Sequence, residues 1–74
     1  MVRRFSVSQT LADWRRAYRR LERATRARAL AVKRADPVRV VRAMDRERDA
    51  RRAEVAAHGE FRRAREAVED RYRR

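Results

Sequence analysis

The chain has 74 residues, of which 23 are Lys or Arg and 11 are Asp or Glu, so its formal net charge is +12. It contains 14 Ala but only 13 residues of Leu, Val or Phe, with one Gly, one Pro and no Cys. We expect these 74 residues to form at most one domain with a small core and a preference for negatively charged partners, and the absence of Cys excludes a disulfide or a thiolate metal site within them.

A short basic arm comes first and ends at a helix start signal. The arm covers residues 1–6, includes Arg3 and Arg4, and holds no apolar run long enough for a signal peptide. The segment Ser6-Val7-Ser8-Gln9 fits the capping box, in which a Ser side chain and a Gln three residues later satisfy free N–H groups of the first turn. We therefore predict helix one over residues 7–35.

Asp36-Pro37 separates the first helix from the second. Pro lacks the N–H that a helix interior requires, whereas Asp followed by Pro suits the first positions of a new helix. The pattern predicts helix two over residues 37–73. Gly59 is its only further interruption and costs about 1 kcal/mol in a helix. Because no turn residues flank Gly59, one continuous helix is favoured over a break there.

Both helices repeat larger residues at alternating spacings of four and three, a pattern that we call the seam, and Ala recurs every seven residues beside it. The seam consists of Val7, Leu11, Trp14, Tyr18, Leu21, Thr25, Arg28, Val32 and Ala35 in helix one, and of Val40, Met44, Glu47, Arg51, Glu54, His58, Phe61, Arg65, Val68 and Tyr72 in helix two. Its apolar members are the candidate helix-packing or oligomer-interface residues: Leu11, Trp14, Tyr18, Leu21, Val32, Val40, Met44, Phe61 and Val68. The fold class is therefore all-α, an antiparallel, coiled-coil-like hairpin of two helices that completes a helical bundle by self-association.

A tight turn at Asp36-Pro37 sets the expected register. Facing residues in such a hairpin have numbers that sum to about 72. Trp14 then faces His58, and Leu11 faces Phe61. The middle of the hairpin is polar, with Thr25 and Arg28 meeting Glu47, Arg51 and Glu54, and we expect this polar network to fix the register.

Six arginines follow the side of helix one that is opposite the seam. We call them the arginine arc: Arg15, Arg16, Arg19, Arg20, Arg23 and Arg26. The arc spans roughly 16 Å and has one acidic residue, Glu22, among its members. A solvated face that keeps the protein soluble is one interpretation. Helix two instead mixes both signs of charge at ion-pair spacing, so the asymmetry favours the arc, extended by Arg3 and Arg4, as the surface for an anionic partner.

The aromatic residues and the single histidine have ordinary packing interpretations beside their functional ones. Trp14 and Tyr18 are candidates for stacking on nucleic-acid bases, but their place on the seam favours a role in the core. His58 lies four residues after Glu54, and a single imidazole with a single carboxylate is an incomplete metal site. We therefore expect His58 to pack beside Trp14, and we predict no metal or other cofactor.

The functional hypotheses follow from charge and from the absence of catalytic motifs. No Gly-rich phosphate loop, Ser-His-Asp set or metal cluster is visible, so we predict no enzyme and no small-molecule substrate. No apolar run approaches the roughly 18 residues of a membrane span. The leading hypothesis is a homo-oligomeric nucleic-acid-binding protein with little sequence specificity, in the cytoplasm or in a virion of a high-GC bacterium or its phage. The alternatives are a structural or adaptor subunit of a larger assembly, such as a phage particle, and a small regulator that binds an acidic surface of a host protein.

Overall fold

Two long antiparallel helices make up the structure, a computed structural model that describes residues 6–73. Helix α1 spans Val7–Lys33 and helix α2 spans Pro37–Tyr72. The hairpin measures 57 × 23 × 13 Å, so it is only about one helix thick. The prediction of an all-α helical hairpin is confirmed. Except for Ser6, the predicted basic arm with Arg3 and Arg4 lies outside the described residues.

Helix α1 begins where the capping pattern predicts. Ser6 is the N-cap, and its side chain accepts a hydrogen bond of 3.0 Å from the backbone N–H of Gln9. Thr10, one turn later, is buried, and its hydroxyl lies 3.1 Å from the carbonyl oxygens of Ser6 and Val7, to which it donates. The N–H of Gln9 and the hydroxyl of Thr10 are therefore both satisfied locally, and a small residue faces α2 at this level.

The turn between the helices starts two residues earlier than predicted. Helix α1 was expected to continue to Ala35, but it ends at Lys33, with Arg34 as its C-cap. Ala35 has a φ of 53°, in the left-handed region, and its N–H donates to the carbonyl of Val32 at 3.0 Å. This contact is part of a common helix-terminating arrangement, in which a left-handed residue reverses the chain direction. Asp36 then caps α2 by accepting from the N–H of Arg39 at 3.3 Å.

Helix α2 runs without a break through Gly59, as the sequence favoured. It ends at Tyr72, and Arg73, the last residue of the predicted helix, is the C-cap. A Cβ added to Gly59 would have the guanidinium group of Arg63 as its nearest neighbour, at 3.6 Å. No close packing therefore requires a glycine at this position.

Alanine occupies the centre of the contact between the helices, where the sequence placed the larger seam residues. Ala31, Ala43 and Ala50 are the buried apolar residues of the described chain. The larger seam residues flank this alanine row: Val7, Leu11, Trp14, Leu21, Val40 and Phe61 are half-buried, whereas Tyr18, Val32, Met44 and Val68 are exposed. Small side chains let two helices approach closely, so larger neighbours project beside the contact instead of filling it. Tyr72, the last residue of the seam, is 86% exposed.

Two layers of side chains bridge the helices. In the aromatic layer, the ring of Trp14 lies 4.7 Å from that of His58 and stacks on Phe61 at 5.5 Å, measured between ring centroids. The indole N–H of Trp14 donates to Glu54 at 3.1 Å. The predicted proximity of Trp14 and His58 is confirmed, but Glu54 belongs to this layer and not to the polar middle.

The ionic layer lies between the aromatic layer and the turn. Arg28 Nε donates to Glu47 Oε2 at 2.9 Å, and Arg51 lies 4.0 Å from the other carboxylate oxygen. The hydrogen bond from Arg28 holds the pKa of Glu47 below its ordinary value, partly opposed by desolvation and aided by Thr25 and the charge of Arg51. The predicted meeting of Arg28 and Glu47 in the middle of the hairpin is therefore observed.

Within the described residues, neither helix has a stretch that is both long enough and apolar enough to cross a membrane.

Candidate anion-binding surface

The two helices differ sharply in charge. Helix α1 carries eight basic and two acidic residues, whereas α2 carries ten basic and eight acidic residues. Their net charges are therefore +6 and +2. An anion approaching the hairpin thus meets most of the excess positive charge on α1.

The arginine arc is exposed along its whole length. Arg16 pairs with Asp13, and Arg26 lies 3.5 Å from Glu22. The other four members, Arg15, Arg19, Arg20 and Arg23, make no ion pair with any described residue. Their guanidinium groups are therefore available to an external anion without first breaking a contact within the hairpin. The proposed extension through Arg3 and Arg4 lies outside the described residues.

Helix α2 neutralises part of its own charge locally, although six of its ten arginines make no ion pair with any described residue. Four ion pairs at helical spacing join Asp45 to Arg48, Glu47 to Arg51, and Glu69 to both Arg65 and Arg73, with N–O distances of 3.3–4.0 Å. Arg62 and Glu66 have the same spacing of four but form no ion pair with each other. Exposed pairs of this kind contribute little to stability, but they reduce the positive potential of the surface that carries them.

A second group of arginines surrounds a groove at the turn end of the hairpin. We call it the tip groove; it encloses about 310 Å³ and is lined by Arg34, Arg39, Arg42 and Arg46 around a floor of Ala27, Leu30, Ala31 and Ala43. Of its arginines, only Arg39 is in an ion pair with a described residue, Asp36, at 3.5 Å. Four guanidinium groups with one carboxylate make this groove a candidate anion site.

The tip groove was not predicted, because the larger seam residues were expected at the centre of the contact between the helices. Arg39, Arg42 and Arg46 are spaced by three and four, so they share one side of α2. Three arginines on one side do not stand out on a helix that also has eight acidic residues. The hairpin turn brings these three arginines beside Arg34. Their spacing, combined with the predicted turn, is the sequence signal that could have indicated the groove.

The aromatic side chains of the seam divide into packed and accessible ones. Trp14 is held by its hydrogen bond to Glu54 and by stacking on Phe61. Tyr18, expected in the core, is 49% exposed and lies in a shallow pocket with Trp14 and two members of the arginine arc, Arg15 and Arg19. Tyr18 is therefore the aromatic residue of this surface that a ligand can reach.

Comparisons of the chain with models of protein families, with curated proteins and with solved structures give no match. The candidate surface is therefore interpreted from its own chemistry.

Proposed function

We propose that this protein is a non-enzymatic, nucleic-acid-binding helical hairpin that contacts the phosphate backbone with little sequence specificity. The observation that supports this proposal best is the row of exposed arginines on α1, four of which have no carboxylate partner among the described residues. Helix α2 has similar numbers of basic and acidic residues, so a need for solubility alone does not account for the one-sided charge of α1.

Guanidinium groups suit this ligand because their planar donors form two parallel hydrogen bonds with a phosphate. The arc spans roughly 16 Å along α1, which corresponds to about five phosphates of one strand at 3.4 Å per nucleotide. Binding of this kind releases counterions from the nucleic acid, so affinity falls steeply with salt. The arginines of the arc supply no arrangement that would select particular bases.

The first test measures binding of a labelled random-sequence duplex and of the matching single strand over a series of salt concentrations. We expect the logarithm of the binding constant to fall linearly with the logarithm of salt concentration. Replacing Arg16, Arg20 and Arg23 together by Gln should reduce this slope by about 2 to 3, because each lost phosphate contact removes nearly one released counterion.

The matched control replaces three arginines of the α2 side, Arg48, Arg65 and Arg73, by Gln. These residues are exposed and form ion pairs within the hairpin, so the net charge changes equally while the arc stays intact. We expect a much smaller loss of affinity for this control. Weak binding at low salt, or equal losses for both triple variants, would contradict the proposed function.

A structural or adaptor subunit of a larger assembly is the second candidate, and the uncovered part of the seam favours it. Val32 and Met44 remain 55% and 47% exposed, and Tyr18 and Val68 are also exposed. A second copy or another protein would bury these side chains. If the sedimentation mass exceeds that of one chain and Met44→Glu restores the monomer mass, self-association through the seam is supported; a monomer at all concentrations argues against it.

A regulator that binds an acidic protein surface is a further alternative that uses the same arginines. It predicts tighter binding to an acidic polypeptide than to nucleic acid at equal salt. A location in the cytoplasm or in a virion fits any of these roles.

A further inference from the structure

We propose that the bound phosphate chain lies along the groove between the two helices and ends in the tip groove, so that Arg34, Arg42 and Arg46 bind phosphates together with the groove-side members of the arginine arc. This inference rests on the proposed function and specifies the path of the bound phosphate chain. It adds arginines of α2 and of the turn to a surface that was otherwise confined to α1.

The composition of the tip groove supports this path. Arg34, Arg42 and Arg46 have no ion pair with any described residue, although each is exposed beside the others. Clustered like charges repel each other, and a bound anion removes that cost. The acidic residues on either side of Arg46 do not neutralise it or Arg42: Asp45 pairs with Arg48 at 3.7 Å, and Glu47 pairs with Arg28 and Arg51.

The groove also continues into the arc. Along α1, Arg16, Arg20 and Arg23 precede Ala27, Leu30 and Arg34 at alternating spacings of four and three, so all six lie on one side of the helix. Because Ala27, Leu30 and Arg34 line the tip groove, the arginines before them face the same side of the hairpin. Arg15, Arg19 and Arg26 lie further round the helix, away from α2.

The length of this path suits a strand of several nucleotides. From Arg16 to Arg34 the helix rises about 27 Å, the length of about eight nucleotides at 3.4 Å each. The alanines and Leu30 form an apolar floor between the two rows of guanidinium groups. Such a floor contacts sugar carbons without requiring any hydrogen bond, which agrees with recognition that ignores base sequence.

The test compares two double variants of α2 in the salt series described above. Arg42→Gln with Arg46→Gln removes two charges from the tip groove. Arg52→Gln with Arg63→Gln removes two exposed charges of α2 that are likewise in no ion pair with a described residue and lie outside the tip groove. We expect the first pair to weaken binding of a twelve-nucleotide single strand at least about tenfold and to reduce the salt slope by about 2. The second pair should weaken it less than about twofold.

Three comparisons separate the possible failures. If the arc variant weakens binding but the Arg42 and Arg46 variant behaves like its control, the phosphate chain does not enter the tip groove and the proposed function survives. If the unmodified protein shows no salt-dependent binding, the proposed function itself fails. Equal binding of poly-glutamate, lost in the same variants, would contradict phosphate as the preferred anion.

Replacing Arg42 and Arg46 by Lys provides the last control. Lys keeps the charge but loses the planar pair of donors, so the salt slope should be retained while affinity falls only in part. All these positions are exposed, and far-ultraviolet circular dichroism should show an unchanged helix content.

Discussion

The aromatic layer and the ionic layer both join α1 to α2, but they do so by different physical means. Trp14 buries a large apolar surface against His58 and Phe61 and satisfies its only polar atom with Glu54. Arg28 and Glu47 bring two charges together over a contact that consists mainly of alanine. Burial of aromatic surface contributes more free energy than a partly exposed ion pair, whereas opposite charges select one register over its neighbours. Stability and register are therefore assigned to separate parts of the hairpin.

The largest effect should come from removing the aromatic layer. We expect Trp14→Ala to reduce the free energy of unfolding by about 2 to 3 kcal/mol, because the layer loses its central ring and leaves a gap beside Phe61. In a hairpin with a core of this size, such a loss leaves much of the chain unfolded at room temperature. Thermal unfolding followed by circular dichroism measures it. The control is Tyr72→Ala, which removes an aromatic ring that is 86% exposed and should change little.

A smaller effect is expected at the turn, on the side of the ionic layer. Ala35 has a positive φ, which is unfavourable for a residue with a Cβ. Ala35→Gly should therefore raise the free energy of unfolding by about 0.5 to 1 kcal/mol, measured in urea. A decrease would indicate that the turn adopts another conformation in solution.

The reverse substitution, Gly to Ala, can be made at Gly59, near the aromatic layer. Gly59 is helical and has room for a Cβ, so Gly59→Ala should stabilise the hairpin by about 0.5 to 1 kcal/mol. The same urea titration applies. Destabilisation would imply that α2 bends at Gly59 and that the aromatic layer depends on this bend.

The smallest effect should be on the pH dependence of stability, through Glu47 of the ionic layer. Because the folded chain lowers the pKa of Glu47, ionised Glu47 stabilises the fold above the ordinary glutamate pKa of about 4.3. This contribution is lost as pH falls through the lowered pKa. Glu47→Gln should therefore remove part of the acid sensitivity of the melting temperature. Glu66→Gln, at an exposed position, is the control; equal pH profiles for Glu47→Gln and the unmodified protein would show that the ionic layer contributes nothing.

Much of the fold follows from local signals in the sequence. Ser6 and Asp36 cap their helices as their types predict, because a short polar side chain can reach the free N–H groups of a first turn. The register expected from a tight turn at Asp36-Pro37 also placed Trp14 beside His58. The predicted end of α1 was wrong by two residues. A glycine in the left-handed position would have indicated the helix end, whereas an alanine there gives no such signal.

The candidate surface was only partly predictable. The arginine arc follows from helical periodicity alone, since all its members belong to one helix. The tip groove depends on which sides of two helices meet, and that was misjudged because the seam was expected to lie at the centre of the contact. Because Ala43 and Ala50 lie at the centre of the contact, α2 is rotated about its axis relative to the orientation expected from the seam. Arg42 and Arg46 therefore flank a groove.

The short turn also has a consequence for the order of events during folding. Arg28 and Glu47 are 19 residues apart in the chain, whereas Trp14 and Glu54 are 40 apart. Closing the longer loop first would cost more entropy, about 0.6 kcal/mol for each doubling of its length. We therefore expect the hairpin to zip from the turn outward, with the ionic layer formed early and the aromatic layer late. The strongest contacts would then act mainly as a brake on unfolding, which sets how long each folded molecule lasts.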